Sequence, residues 1–296
     1  MTLGKETEIT NLDEEGNVCS AECDVIDSLQ DADSDKDPLF SKFDDLLKLD
    51  KIHAQRIERL REISCLVGKK RARETAFTNF TFGNQVGELY LQDGVRKLFR
   101  PAEAYLPEKK FRFMRRMIKM SKRARGIKYV MVASEAEKCK LIDVVLDSVV
   151  LACDKEDQVE IKSEVPFKCK QLNALGRVDR VITKRGQKAI VLECKKNDFD
   201  QGMGQMALAT EGLLLEQLEE NSESKDPVFG IVSNFLHWSI MKLDRHGARF
   251  CEIDVNEVHM TPGLREISSA LFSILRGDPV EDIEEDGDSD SEEKSP

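Results

Sequence analysis

The chain has 296 residues, 40% of them apolar and 34% charged, with a formal net charge of −11 at neutral pH. That length and apolar content lie in the globular range and can bury a stable core, and no apolar run approaches the length of a membrane span. Eight cysteines (19, 23, 65, 139, 153, 169, 194 and 251) form no CxxC pair, and the four histidines (53, 237, 246 and 259) show no paired ligand spacing, which excludes an ordinary zinc site.

The charge is unevenly placed. Residues 1–50 carry 15 acids against four lysines, and residues 277–296 carry 10 acids against one lysine. The block 51–276 is therefore basic, at +9. Residues 1–37 and 277–296 are expected to be acidic disordered tails, because they hold too little apolar surface to offset the entropy of ordering. They read as solvated tails, with protein partners possible through them. The polar, acidic N-terminus has no secretory apolar segment, and the expectation is an intracellular protein with reduced thiols.

Residues 38–130 read as a helical, basic region. Leu, Ile and Phe recur at three- and four-residue spacings over 38–66, which predicts one or two amphipathic helices. The segment 77–91 reads as loop with a short strand or helix. Residues 109–128 contain ten lysines and arginines and no acid, with Phe111, Phe113, Met114, Met117 and Ile118 interleaved. Uncompensated positive charge of this density favours an anionic partner. Lys109, Lys110, Arg112, Arg115, Arg116, Lys119, Lys122, Arg123 and Arg125 are the candidate phosphate contacts. The runs "KKRAR" and "SKRAR" suit nuclear import, so the nucleus is favoured over the cytoplasm.

Residues 131–276 read as one α/β domain around a central mixed sheet. Ser134 and Glu137 form a capping box for a helix running to about residue 152. The period then changes to two. "QVEIKSEVPF" is a strand, and 176–196 is a strand–turn–strand hairpin turning at "KRGQK". A helix follows, capped by Asp198 or Asp200 and ending near Asn221. Residues 226–244 are strand-like, 248–255 are a further strand, and a final helix spans about 262–276.

The hairpin carries the chemistry. Alternation puts Glu193 and Lys195 on one face of their strand, and Leu192 and Cys194 on the other, in the core. Cross-strand pairing brings Asp179 within reach of Glu193. Two carboxylates and an amine on one face suit metal-assisted phosphodiester hydrolysis: the acids would hold Mg2+ (or Mn2+), and the amine would position water or stabilise developing charge.

The pattern Gly176-Arg177-Val178-Asp179, thirteen residues, then Glu193-Cys194-Lys195 resembles the PD-(D/E)XK nuclease superfamily, the restriction-endonuclease-like fold, over residues 133–245. The resemblance implies an α-β-β-β-α-β core, Asp179 and Glu193 as metal ligands and Lys195 as the catalytic amine. It also implies supporting roles for the upstream acid Glu164 and for Gln205, with Gln201 one helical turn before it, as in the RecB-like branch. The narrower look is similar to nuclease-like domains of Crinkler-type effectors and mobile elements. Val178 stands where that family usually has proline, and Ala209 where the RecB-like branch has tyrosine. The implied function is cleavage of DNA, or alternatively RNA. The rival is a catalytically inactive nuclease-fold module that binds nucleic acid or protein partners.

Overall fold

The computed structural model describes residues 51–64, 75–76, 80–91, 96–101, 104–169, 172, 174–221 and 226–283. The expected tail 1–37 and residues 284–296 lie outside these.

Helix α1 covers residues 51–64 and buries Ile57, Leu60 and Ile63, one stripe at a spacing of three. Helix α2, Glu108–Ala124, buries Phe111, Met114 and Ile118 and leaves its basic residues on the opposite side. Phe113, one of the interleaved apolar residues, is exposed, because at helical spacing it falls 100° or more from that stripe. Helix α3, Glu135–Val150, starts in the expected capping box: the Ser134 side chain accepts from the Glu137 N–H, and the Glu137 carboxylate accepts from the Ser134 N–H.

The chain then forms strands β3 (Glu160–Cys169), β4 (Ala174–Lys184) and β5 (Gln187–Cys194), helix α4 (Phe199–Glu220) and strand β6 (Val228–Ser233). Strands β7 (His237–Asp244) and β8 (Gly247–Asp254) and helix α5 (Met260–Arg276) complete the order. Three short strands extend the sheet: β1 (Thr75–Ala76) beside β4, and β2 (Leu98–Pro101) and β9 (Val280–Ile283) beyond β8. Strand β9 lies inside the segment read as an acidic tail and pairs antiparallel with β2. Backbone pairing at a sheet edge orders a stretch whose side-chain composition does not ask for it.

The sheet is mixed. Its order is β1-β4-β5-β6-β7-β8-β2-β9, with β3 paired to β4. Strands β3, β4 and β5 meander antiparallel, whereas β5 and β6 are parallel. A parallel pair needs a crossover, which α4 supplies. Helices α2, α3 and α5 cover one face of the sheet, and α1, α4 and residues 80–90 cover the other, so that two cores flank it. The face assignment expected for β5 holds: Leu192 and Cys194 are buried in the first core, and Val191, one residue out of phase, lies in the second.

One expected strand is two. Residues 226–244 break at Asn234–Leu236, where Asn234 Oδ1 accepts from the backbone N–H groups of Leu236 (3.0 Å) and His237 (2.8 Å). Ser233 Oγ accepts from the Phe235 N–H at 2.9 Å, and Phe235 takes a left-handed φ of 74°. The Ser-Asn pair is turn chemistry without glycine or proline.

Candidate active site

The site forms where two strands part. The β4–β5 ladder ends at Arg180 opposite Leu192, which leaves Asp179 and Glu193 as the next facing residues. Strand β5 continues along β6 instead, pairing Glu193 with Val232 and Cys194 with Ser233, and Lys195 donates its N–H to the Ser233 carbonyl at 3.0 Å. The Cys194 N–H points the other way, into the space that β4 has left. There Asp179 Oδ2 accepts it at 2.7 Å. The carboxylate thus replaces a ladder bond that the splayed strands no longer make. The Asp179 carbonyl is held by Arg180 Nη1 at 2.6 Å, and Arg180 is itself fixed to Asp143 through Nε (2.8 Å) and Nη2 (3.0 Å).

Glu193 and Lys195 lie on the same side, with Lys195 Nζ 2.8 Å from Glu193 Oε1. Both side chains are largely buried. Burial, and then the Asp179 charge, push the Glu193 carboxyl up to about 7 against the pull of Lys195 and of the Asp179 N–H. Burial pulls the Lys195 amine down, but its hydrogen bond and charge contact with Glu193 outweigh this and leave it raised. Helix α4 presses on the lysine stem: a Cβ at Gly202 would sit 2.7 Å from Lys195 Cγ and 3.0 Å from Val232 Cγ1. Glycine is therefore required in the first turn of α4, despite its cost there. Asp198 caps that turn, accepting from the Gln201 N–H at 3.0 Å. One turn on, Gln205 is buried and lines the same narrow crevice as Glu193, Arg177 and Met206. Its Oε1 has no hydrogen-bond partner, which is costly unless something supplies one.

The other expected site residues fall into two groups. Glu164 sits on β3 beside the Asp179 position in register, but with a left-handed φ of 50°. Its exposed carboxylate pairs with Arg177 Nη1 at 3.1 Å, so it does not join the carboxylate pair. The basic face of α2 lies on the α3 and α5 side of the sheet, whereas Glu193 lies on the side covered by α4, which carries Gln205. The C-terminal end of α2 comes near the beginning of α3, where the Ser134 N–H and hydroxyl hold the Glu137 carboxyl down and the Arg125 charge adds to them. Three residues that the sequence pattern did not single out also approach the site. Glu135 accepts from the Lys196 N–H at 3.0 Å and is close enough to contribute to the raised pKa of Lys195. The buried Lys138 lies beside Lys196, and its amine is pushed down by burial and by that neighbouring charge. Each was legible only as part of a capped helix or a strand end.

No family model, no curated protein and no solved structure matches this chain. Among the described residues, no three His, Cys, Asp or Glu side chains gather into a metal cluster. Two carboxylates and an unpartnered amide oxygen remain, all hard oxygen donors. That set fits Mg2+ or Mn2+, which is commonly held by one or two carboxylates, with water and substrate phosphate oxygens completing the shell. It does not fit a softer metal, since the nearest thiol, Cys194, points into the opposite core.

Proposed function

We propose that the protein is a metal-dependent nuclease of the restriction-endonuclease-like class, with Asp179, Glu193 and Lys195 as its active site. The observation that carries the reading is the convergence of one amine and two carboxylates at a strand end: Lys195 lies 2.8 Å from Glu193, and Asp179 is near enough to raise the Glu193 pKa. The α-β-β-β-α-β order of α3 through β6 supports the same class.

In this reading Asp179 and Glu193 would hold Mg2+ or Mn2+, which supplies a polarised phosphoryl oxygen and an acidified water. The protein's own groups do the rest. The Cys194 N–H fixes the Asp179 carboxylate, and Arg180 fixes the main chain beneath it. Lys195 carries a positive charge toward the attacking water and the developing negative charge. The amide oxygen of Gln205 can accept from that water. Lys196, Lys138 and the basic end of α2 supply positive charge for a nucleic-acid backbone, which positions without reading sequence.

The test is incubation of the full chain with plasmid DNA and with single-stranded RNA in Mg2+ or Mn2+, beside Lys195→Ala. The reading predicts metal-dependent cleavage that Lys195→Ala reduces by at least about 100-fold, the scale of losing an electrostatic stabiliser. Metal-independent cleavage, or cleavage unchanged in the variant, contradicts it. Nucleic-acid binding without cleavage favours the inactive binding module.

A further inference from the structure

The end of the sheet that carries the carboxylate pair also carries exposed apolar side chains that the nuclease chemistry does not use. Among the described residues, Tyr129 is 55% exposed, Met131 67% and Val132 73%, all on the segment that joins α2 to α3, and Val258, between β8 and α5, is 81% exposed. Single apolar residues on a surface are ordinary, but a group of neighbours marks a place where something binds. These four are held as a group. Glu257 accepts the N–H groups of Val130 and of Met131 (3.4 Å), and Val130 and Ala133 are buried in the core beneath. Ala133 donates its N–H to the Val130 carbonyl at 3.1 Å. The backbone is thereby fixed, with Val130 and Ala133 turned inward and their neighbours left in solvent.

Hydrogen bonds place this group beside the site. Glu135, at the start of α3, accepts from the Lys196 N–H at 3.0 Å, and Lys196 follows Lys195 directly. Val132 precedes Glu135 by three residues, so its Cα stands within about 11 Å of that of Glu135. From the other side, Val255 donates its N–H to the Leu236 carbonyl at 2.7 Å. Leu236 lies in the turn after β6, and the Ser233 carbonyl at the end of β6 accepts from the Lys195 N–H at 3.0 Å. The charge there is positive. Residues 122–138 contain five lysines and arginines and two acids, and both acids are engaged, Glu137 in the helix cap and Glu135 on Lys196. Lys128 Nζ lies 5.3 Å from the Tyr129 ring centroid, so a charge for a phosphate stands beside a ring for a base.

We propose that Tyr129, Met131, Val132 and Val258 form a base-stacking subsite, and that the substrate led to Lys195 is single-stranded nucleic acid. An unpaired base offers a flat face that an aromatic or aliphatic side chain can cover. A duplex keeps those faces stacked inside and presents phosphates and groove edges. Stacking beside a basic track is the chemistry of single-strand binding, and it tolerates any base. The uncompensated cations favour a polyanion over a second copy of this chain, which would bring the same charge to the same face. What is cut rests on the nuclease reading, whereas what is bound does not.

Fluorescence anisotropy of the metal-free full chain tests this with labelled oligothymidylate, the same strand annealed to oligoadenylate, and a single strand of the same length whose sugars lack bases. Cleavage of the first two in Mn2+ is followed in parallel. The expected result is binding of oligothymidylate at least about fivefold tighter than of the abasic strand, the scale of stacking one base, and faster cleavage of the single strand than of the duplex. Tyr129→Ala combined with Met131→Ser should weaken oligothymidylate binding at least about fivefold and leave duplex affinity and the thermal midpoint unchanged. Equal affinity for the abasic strand, a double variant that weakens both forms alike or neither, or no binding at all overturns the subsite. A double variant that changes only the sedimentation of the free chain assigns the face to a contact between copies and also overturns it. Binding that depends on Tyr129 and Met131 in a protein that cleaves nothing keeps the subsite and removes the nuclease reading instead. Duplex cut as fast as single strand keeps the nuclease reading and removes the single-stranded substrate.

Discussion

At Glu193, burial and a neighbouring carboxylate act in the same direction, and the consequence can be read from pH. The carboxyl titrates near 7 in the folded protein and near its ordinary value of about 4.3 in the unfolded chain. The native state therefore binds this proton more tightly. Its contribution to stability is fully present below about pH 4.3 and is lost as pH rises through about 7, a loss on the order of 3–4 kcal/mol. Denaturant unfolding of the metal-free protein should show this loss between pH 5 and 8, and Glu193→Gln should flatten the dependence relative to the unaltered chain. Equal slopes in the two proteins would mean that Glu193 ionises normally. Asp179→Asn removes the anion that raises Glu193 and should move its titration downward, which carboxyl NMR can follow. The grouping of these residues on one side of a strand was legible from alternation alone. The unpartnered Gln205 oxygen and the departure of Glu164 toward Arg177 were not, because both depend on side-chain directions that spacing does not fix.

Among the elements, α1 has an unexpected anchor. Glu211, in the middle of α4, is fully buried, and Arg56 of α1 meets it with Nη2 at 3.2 Å from Oε1. Arg56 Nε lies 3.0 Å from Oε2 but off the hydrogen-bond line. His53 Nε2 lies 3.2 Å from Oε1, and Tyr90 donates its hydroxyl to Oε2 at 3.1 Å. Burial works against the charge on Glu211, yet Arg56 and His53 together hold its carboxyl below the usual range. Replacing Glu211 by Ala strands the buried Arg56, and the expected cost is about 3–5 kcal/mol, read as a fall in the denaturation midpoint. A loss below about 1 kcal/mol would show that α1 is held by its apolar stripe alone. No sequence pattern announced this cluster: Glu211 sits within "LATEGLLLEQ" as one acid in an apolar helix, and its partners lie more than 100 positions away. Element types were easier. The capping box, the β4–β5 hairpin and α4 follow from short-range signals, whereas the β6–β7 break required weighing Ser-Asn as a turn inside an apolar run. The short strands β2 and β9 answer to pairing partners rather than to their own residues.

For the molecule as a whole, charge decides what it can meet. The described surface carries a basic helix on one side of the sheet and a carboxylate pair at the end of β5. If this helix neutralises phosphates, replacing Arg115, Arg116, Lys122 and Arg123 by Gln should flatten the log–log salt dependence of duplex DNA binding by about 0.9 for each phosphate no longer neutralised. An unchanged slope would move the binding surface to Lys138, Lys196 and their neighbours. Among the described residues no helix is long and apolar enough to cross a membrane. Catalysis at this site requires that the two carboxylates hold a cation, and isothermal calorimetry of Mn2+ into the full chain, beside Asp179→Asn and Lys195→Ala, measures that directly. The prediction is saturable binding in the unaltered chain, at least tenfold weaker binding in Asp179→Asn, and binding largely kept in Lys195→Ala, since the amine acts on water and charge rather than on the ion. Absence of binding, or binding indifferent to Asp179, would contradict the account.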